Sequence, residues 1–125
     1  MIAKHTLISS QRVKGTNVYG PDDTKVGQIE AMMIEKATGR VRYAVMSFGG
    51  FLGLGHSHFP IPWAALKYDP AVEGYRTGIT EDQLKRAPQY NAASWGDRDW
   101  ESRVHGHYGT PEYWAMGARA VVGAR

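Results

Sequence analysis

The chain has 125 residues, 15 Lys and Arg, 12 Asp and Glu and no cysteine, which excludes disulfides, thiolate metal sites and cysteine nucleophiles. Its length fits one domain with a sizeable core. No run of apolar residues approaches the roughly 20 that a membrane span needs, and residues 1–20 lack the apolar core of a signal peptide. The net charge of +3 is scattered over residues 1–50, so we expect a solvated surface rather than a nucleic-acid site, in a cytoplasmic protein without membrane insertion.

Short runs of β-forming residues, separated by turn residues, fill the first 79 positions. They predict strands at 18–19, 26–35, 41–48, 58–61, 66–68 and 74–78. In the second strand Ile29, Ala31 and Met33 are expected on one face, and Met32 and Ile34 then break the alternation, which indicates a bulge or a strand end buried on both faces. The third strand is apolar on both faces, which predicts that it is covered on both sides. This pattern is typical of a small barrel or sandwich.

The pattern changes to short helices after Gly78, so we divide the chain into a barrel at 1–79 and an extension at 80–125. Thr80 and Gln83 form a capping box that begins the first helix. A second helix is predicted from Asp97 to His105, with Gly106 as its stop, and residues 110–112 predict the start of a third. The extension is rich in aromatic residues and is expected to pack on the barrel.

A glycine-dense loop at 49–55 resembles a phosphate-binding loop without its functional residues. His56 stands where a Walker loop needs lysine, and His58 replaces the third glycine of a dinucleotide fingerprint. We therefore expect no cofactor, and we interpret the glycines as the corner of a barrel. Phe51, Leu52 and Leu54 then either fill the core or form an exposed apolar binding tip.

Two histidine pairs with i, i+2 spacing are the candidate metal ligands. His56 and His58 form one pair, His105 and His107 the other, and imidazoles suit zinc or copper. A site requires the two pairs to converge. The alternative is that these are partly exposed histidines of loops and helix ends, and that His105 lies near a helix C-terminus because the dipole favours it there.

The acidic residues predict no catalytic set. Asp97, Asp99 and Glu101 alternate with arginines, which is typical of a salt-bridged helix surface. The chain has no nucleophile-elbow signature. We therefore predict a protein that is not an enzyme.

Aromatic residues crowd the second half of the chain, and they either pack the extension onto the barrel or form an interface. Tyr and Trp bring large contact areas and are enriched in interface cores. The residues concerned are Tyr68, Tyr75, Tyr90, Trp95, Trp100, Tyr108, Tyr113 and Trp114.

Five stretches within residues 9–69 together resemble the PRC-barrel family, which is named for the cytoplasmic domain of the photosynthetic reaction centre H subunit and is shared with a ribosome maturation factor. They are VKGTNVY at 13–19, VGQIE at 26–30, GRVRYAV at 39–45, GGFLGLG at 49–55 and IPWAAL at 61–66. The tail stretches HYG at 107–109 and PEYW at 111–114 resemble extensions of stand-alone bacterial members. The resemblance implies a small, strongly bent six-stranded β-barrel. It also implies adaptor work on protein partners, without a shared set of catalytic residues.

The sequence thus predicts a mainly β PRC-type barrel with a short-helical C-terminal extension, acting as a protein–protein interaction module. A homo-oligomer is expected, with a dimer as the first hypothesis and the other partners unidentified. The predicted contact residues are Phe51, Leu52, Leu54, Trp63, Tyr108, Tyr113 and Trp114. The alternatives are an RNA- or ribosome-associated barrel, a histidine metal site, and, by family analogy, a reaction-centre-like role in photosynthetic electron transfer.

Overall fold

One six-stranded sheet, curled into a half-barrel, organises the protein. The structure is a computed structural model that describes residues 6–48, 58–88 and 90–115. Its strands are β1 (Asn17–Tyr19), β2 (Lys25–Ile34), β3 (Val41–Ser47), β4 (His58–Pro62), β5 (Leu66–Asp69) and β6 (Gly74–Thr77). Its helices are α1 (Ser10–Val13), α2 (Glu81–Lys85) and α3 (Arg98–Tyr108), with 3-10 turns at Trp63–Ala65 and Ala92–Gly96. The mainly β fold class and the six predicted strands are confirmed.

The strands lie in the order β4-β3-β2-β1-β6-β5 across the sheet. All neighbours are antiparallel except β1 and β6, which pair in parallel with Val18 opposite Tyr75. β4 and β5 are the two ends of this order, and the 3-10 turn at Trp63–Ala65 joins them directly along the chain.

The pairing of β2 with β3 contains two irregularities. One lies between Ile29 and Ala31, which pair with Met46 and Val45, so that Glu30 is the extra residue. Past this bulge the side chains change face: Ile29 is fully buried, whereas Ala31 is exposed. The prediction that Ala31 shares a face with Ile29 is therefore wrong. We placed the break in the alternation at Met32, whereas the first bulge lies at Glu30, before Ala31.

β3 has the longest run of buried residues in the sheet. Tyr43, Ala44, Val45 and Met46 are consecutive and all buried, which confirms that both faces of this strand are covered. A single hydrophobic cluster contains residues of the strands together with Trp100, Val104 and other residues of the extension, so the sheet and α3 share one core.

The helix ends follow local capping chemistry. Thr80 caps α2, with its side chain accepting from the backbone of Gln83 and the Gln83 side chain accepting from the backbone of Thr80, as predicted. α3 runs past Gly106, where we predicted its end, and stops at Gly109 in the left-handed conformation with φ 72°. Glycine inside a helix lowers the stability of the helix by only about 1 kcal/mol relative to alanine. The burial of the Tyr108 side chain on the last turn offsets this loss.

Two short elements were not predicted. Ser9 caps α1 by accepting from the backbone of Gln11 at 3.2 Å. Asn91 caps the 3-10 turn at Ala92–Gly96 by accepting from the backbone of Ala93 at 2.8 Å. No helix in the described ranges is both long and apolar enough to cross a bilayer.

Candidate functional site

A buried polar network joins the sheet to α3. The Tyr43 hydroxyl donates to Glu101 Oε1 at 2.6 Å and lies 2.9 Å from His105 Nε2. The exposed fractions of Tyr43, Glu101 and His105 are 2%, 6% and 2%. Hydrogen bonds of this kind are costly to break because each partner is then left buried without water.

α3 positions two members of this network on one face. Glu101 and His105 are four residues apart, and neighbours at this spacing lie one above the other on a helix. Asp97 fixes the start of the helix by accepting from the backbone of Asp99 at 2.9 Å and of Trp100 at 3.3 Å. The network geometry thus depends on a capped helix.

The hydrogen-bond pattern assigns the protons of the network. Because the Tyr43 hydroxyl gives its proton to Glu101, its oxygen is left to accept from His105 Nε2–H. In the neutral ring His105 Nδ1 is then an acceptor, and the Thr110 hydroxyl lies 3.1 Å from it. Both ring nitrogens therefore have protein partners.

Burial controls the titration of this network. It raises the pKa of the Tyr43 phenol far above its usual value, and the hydrogen bond to Glu101 raises it further. It lowers the pKa of the His105 imidazole, against smaller opposing effects of Glu112 and the Pro111 backbone. The two groups therefore favour their neutral forms, which suits a structural role.

An open cleft of about 360 Å³ lies next to this network, between the sheet and the residues that follow α3. We call it the Arg40 cleft. The sheet contributes one side of it, and the extension contributes the other, which includes the buried His105. Its lining includes Arg40, Arg42, Pro62, Trp63, Pro111 and Tyr113.

The arginines around the cleft differ in how they are used. Arg42 pairs with Glu35 at 2.7 Å, a contact that lowers the pKa of that carboxyl, and its guanidinium lies 4.6 Å from the centre of the Tyr113 ring. Arg98 stacks on Trp114 at 3.9 Å and lies 5.4 Å from the Tyr113 ring. Arg40 is exposed, and no hydrogen bond or ion pair joins its guanidinium to any described residue.

The candidate metal ligands lie as follows. His56 falls outside the described residues, and His58 is exposed at the start of β4. His105 and His107 lie on α3, where an i, i+2 pair does not share a face. His105 is buried in the network, and not partly exposed as the alternative expected, whereas His107 Nε2 donates to the Gln83 carbonyl at 2.6 Å. In the described ranges no group of three or more His, Asp or Glu is arranged to hold a metal.

The predicted contact residues divide into three groups. Phe51, Leu52 and Leu54 fall outside the described residues. Trp63 and Tyr113 are half-buried and both line the Arg40 cleft, while Trp114 lies beneath Arg98 close to it. Tyr108 is 8% exposed and belongs to the core, which corrects its placement on an interaction surface.

Sequence reasoning missed Tyr43, Glu101 and the two cleft arginines as site residues. We interpreted Glu101 as part of a charged helix surface, and the structure places it in the core with a hydrogen bond to Tyr43. One signal was present: Glu101 lies next to Trp100 and four residues before His105, so it borders the apolar face of the helix.

Comparison with known proteins points to one family. The family model described as the PRC-barrel domain matches residues 5–81, which is more than half of the chain. An uncharacterised protein of Deinococcus radiodurans is 30% identical over 78 residues, a match that spans 62% of this chain and only 27% of that protein. The chain is also similar to a crystal structure described as a 16S ribosomal RNA processing protein, RimM, from Pseudomonas aeruginosa, with 17% identity and a TM-score of 0.41. That likeness covers 64% of this chain and 48% of the other.

Proposed function

The chain belongs to the PRC-barrel domain family, and from this premise we propose that it is a non-enzymatic module that binds a protein partner in the Arg40 cleft. The observation that supports the proposal is the cleft itself, in which Trp63 and Tyr113 present half-buried rings from two parts of the fold. Aromatic side chains of this kind form the cores of protein interfaces, because they bury a large area at low entropy cost.

The buried network supports the same proposal, because it holds the cleft in shape. Tyr43 is bonded to α3, and its ring also lies edge-on to Tyr113 at 5.9 Å between centres. A preformed cleft requires little ordering on binding, which favours affinity. His105, which also lines the cleft, is held by Tyr43 and Thr110, which suits a structural part in the cleft wall.

We further propose that the protein works in the cytoplasm as a homo-oligomer, with a dimer as the first expectation. Large exposed apolar side chains support self-association: Leu7 is 81% exposed, Ile8 is 47% exposed and Ile34 is 54% exposed. Light scattering on the purified chain measures its mass directly. A monomer at every concentration up to the millimolar range would contradict the oligomer.

Affinity capture from the native cell extract, followed by mass spectrometry, tests the interaction module. We expect a protein that wild type captures and Trp63→Ala does not. The matched control is Tyr68→Ala, which also removes an aromatic ring from the barrel, at an exposed site outside the cleft lining. Capture of the same proteins by wild type and Trp63→Ala would contradict binding in the cleft.

A further inference from the structure

The Arg40 cleft combines a free cation with an apolar slot. Arg40 precedes β3 and its guanidinium has no partner among the described residues, whereas neighbouring Arg42 is already paired with Glu35. A guanidinium presents a rigid fork of donors that matches a carboxylate with two parallel hydrogen bonds. The cleft therefore has one unused anion-binding group.

The size of the slot limits what it can hold. A volume of about 360 Å³ falls at the low end of the range for small-molecule sites, about 300–1,000 Å³. It accommodates a short segment rather than the face of a folded protein. Trp63 and Tyr113 supply apolar area, and Pro62 and Pro111 have no backbone N–H to leave unsatisfied when water is displaced.

The charges around the cleft select the sign of its ligand. Two arginines line it, Arg40 and Arg42, and Arg98 stacks on Trp114 close to it. The acidic groups nearby are Glu35, which is already bonded to Arg42, Glu101, which is bonded to Tyr43 in the buried network, and Glu112, which is close enough to influence His105. Because Arg42 is already paired with Glu35 while Arg40 has no partner among the described residues, the cleft favours an acidic segment over a basic one.

We propose that the Arg40 cleft binds a short linear peptide that carries an acidic residue next to an aromatic or aliphatic one. The peptide carboxylate pairs with the Arg40 guanidinium, and the apolar side chain lies between Trp63 and Tyr113. This inference rests on the proposed function and specifies the chemistry of the partner. A single free guanidinium matches one carboxylate better than the repeated phosphates of a nucleic acid, which need a basic groove along the backbone.

Selection of a phage-displayed library of random heptapeptides on the full chain tests this chemistry. We expect the enriched peptides to share an acidic residue adjacent to an aromatic or aliphatic one. The best peptide, made with a fluorescein label, is then titrated by anisotropy. Arg40→Gln is expected to weaken its binding about tenfold, and Arg40→Lys to recover only part of this loss. The Arg40 side chain has no partner among the described residues, so its replacement leaves the fold intact.

Two controls make the result specific to the pair. Lys67→Gln removes an exposed cation from β5, outside the cleft, and is expected to leave the affinity unchanged. Changing the acidic residue of the peptide to its amide is expected to weaken binding to wild type about tenfold, with almost no further loss on Arg40→Gln. Equal losses on both proteins would overturn the pairing.

The remaining outcomes separate this inference from the proposed function. Enriched peptides without an acidic residue, or with affinity independent of Arg40, would overturn the inference, while partner capture that depends on Trp63 would still support the module. A labelled random 12-nucleotide RNA that binds more tightly than the peptide, and loses affinity in Arg40→Gln, would replace the peptide by a nucleic acid. No enriched peptide together with no capture dependent on Trp63 would overturn both proposals.

Discussion

Removing the Tyr43 hydroxyl tests the buried network most directly. Tyr43→Phe deletes two hydrogen bonds, of 2.6 Å to Glu101 and 2.9 Å to His105, at a site that is 2% exposed. The phenyl ring keeps its contact with Trp95, whose ring centre is 4.9 Å away. A buried polar group that loses its partner costs about 1–3 kcal/mol, so two such groups predict a loss of about 3 kcal/mol in unfolding free energy. For a chain of this size that corresponds to a fall of about 12 °C in Tm.

The structure supplies a matched control for this change. The Tyr108 hydroxyl is also buried, but it has no hydrogen-bond partner within the described residues, and burial raises its pKa. Tyr108→Phe removes an unsatisfied polar group, so we expect stability unchanged or increased by up to about 1 kcal/mol. Urea unfolding followed by tryptophan fluorescence measures both variants. Equal midpoints for Tyr43→Phe and Tyr108→Phe would show that the network adds nothing to the packing of the rings.

Three further predictions concern glycines and pH. Gly106→Ala is expected to raise the unfolding free energy by about 0.5–1 kcal/mol, because alanine favours the helix and the added Cβ meets no atom within 4 Å. Gly109→Ala is expected to lower it by about 1–2 kcal/mol, because this residue has φ 72°. The urea midpoints of the two variants should therefore move in opposite directions. Gly27→Ala places a Cβ 2.6 Å from the Ser47 carbonyl oxygen, so we expect the unfolding free energy to fall by about 2–3 kcal/mol and the Tm to fall with it. An unchanged Tm in thermal unfolding would contradict the close approach of β2 and β3. Burial lowers the pKa of His105, so on acidification the unfolded chain binds a proton near pH 6.5, before the folded chain does. The unfolding free energy should therefore be constant with respect to this group above about pH 7 and should fall between pH 7 and pH 5. His105→Gln should make the unfolding free energy depend less steeply on pH between pH 5 and 7 and leave its pH dependence above pH 7.5 unchanged. The same pH dependence in wild type and variant would refute this role of His105.

The parts of the fold that were predicted correctly are those with local causes. The capping box at Thr80 and Gln83 needs only residues three apart, and the six strands are each bounded by turn residues beside them. The errors have non-local causes. The position of the β2 bulge depends on which β3 residues face it, and α3 continues through Gly106 because Tyr108 finds a place in the core.

The candidate site was predictable only in part, for the same physical reason. Trp63 and Tyr113 stand out as large aromatic residues, so composition alone made them contact candidates. Glu101 did not, because its charged neighbours predict a solvated helix face. Its burial is decided by Tyr43, which lies 58 positions earlier in the chain and reaches it only after the sheet and α3 have packed together.

The position of the cleft also limits what family membership explains. The family model matches residues 5–81, and this region supplies the side of the cleft that carries Arg40, Arg42, Pro62 and Trp63. The opposite side comes from residues 105–113, which lie beyond the match. Hydrogen bonds between α3 and Tyr43 of β3 hold this side against the sheet. Without that second side, Trp63 would lie on an open surface instead of facing Tyr113. The family match therefore covers the strands and one side of the proposed binding site, while the other side, on which the proposed partner specificity rests, comes from an extension that the match does not include.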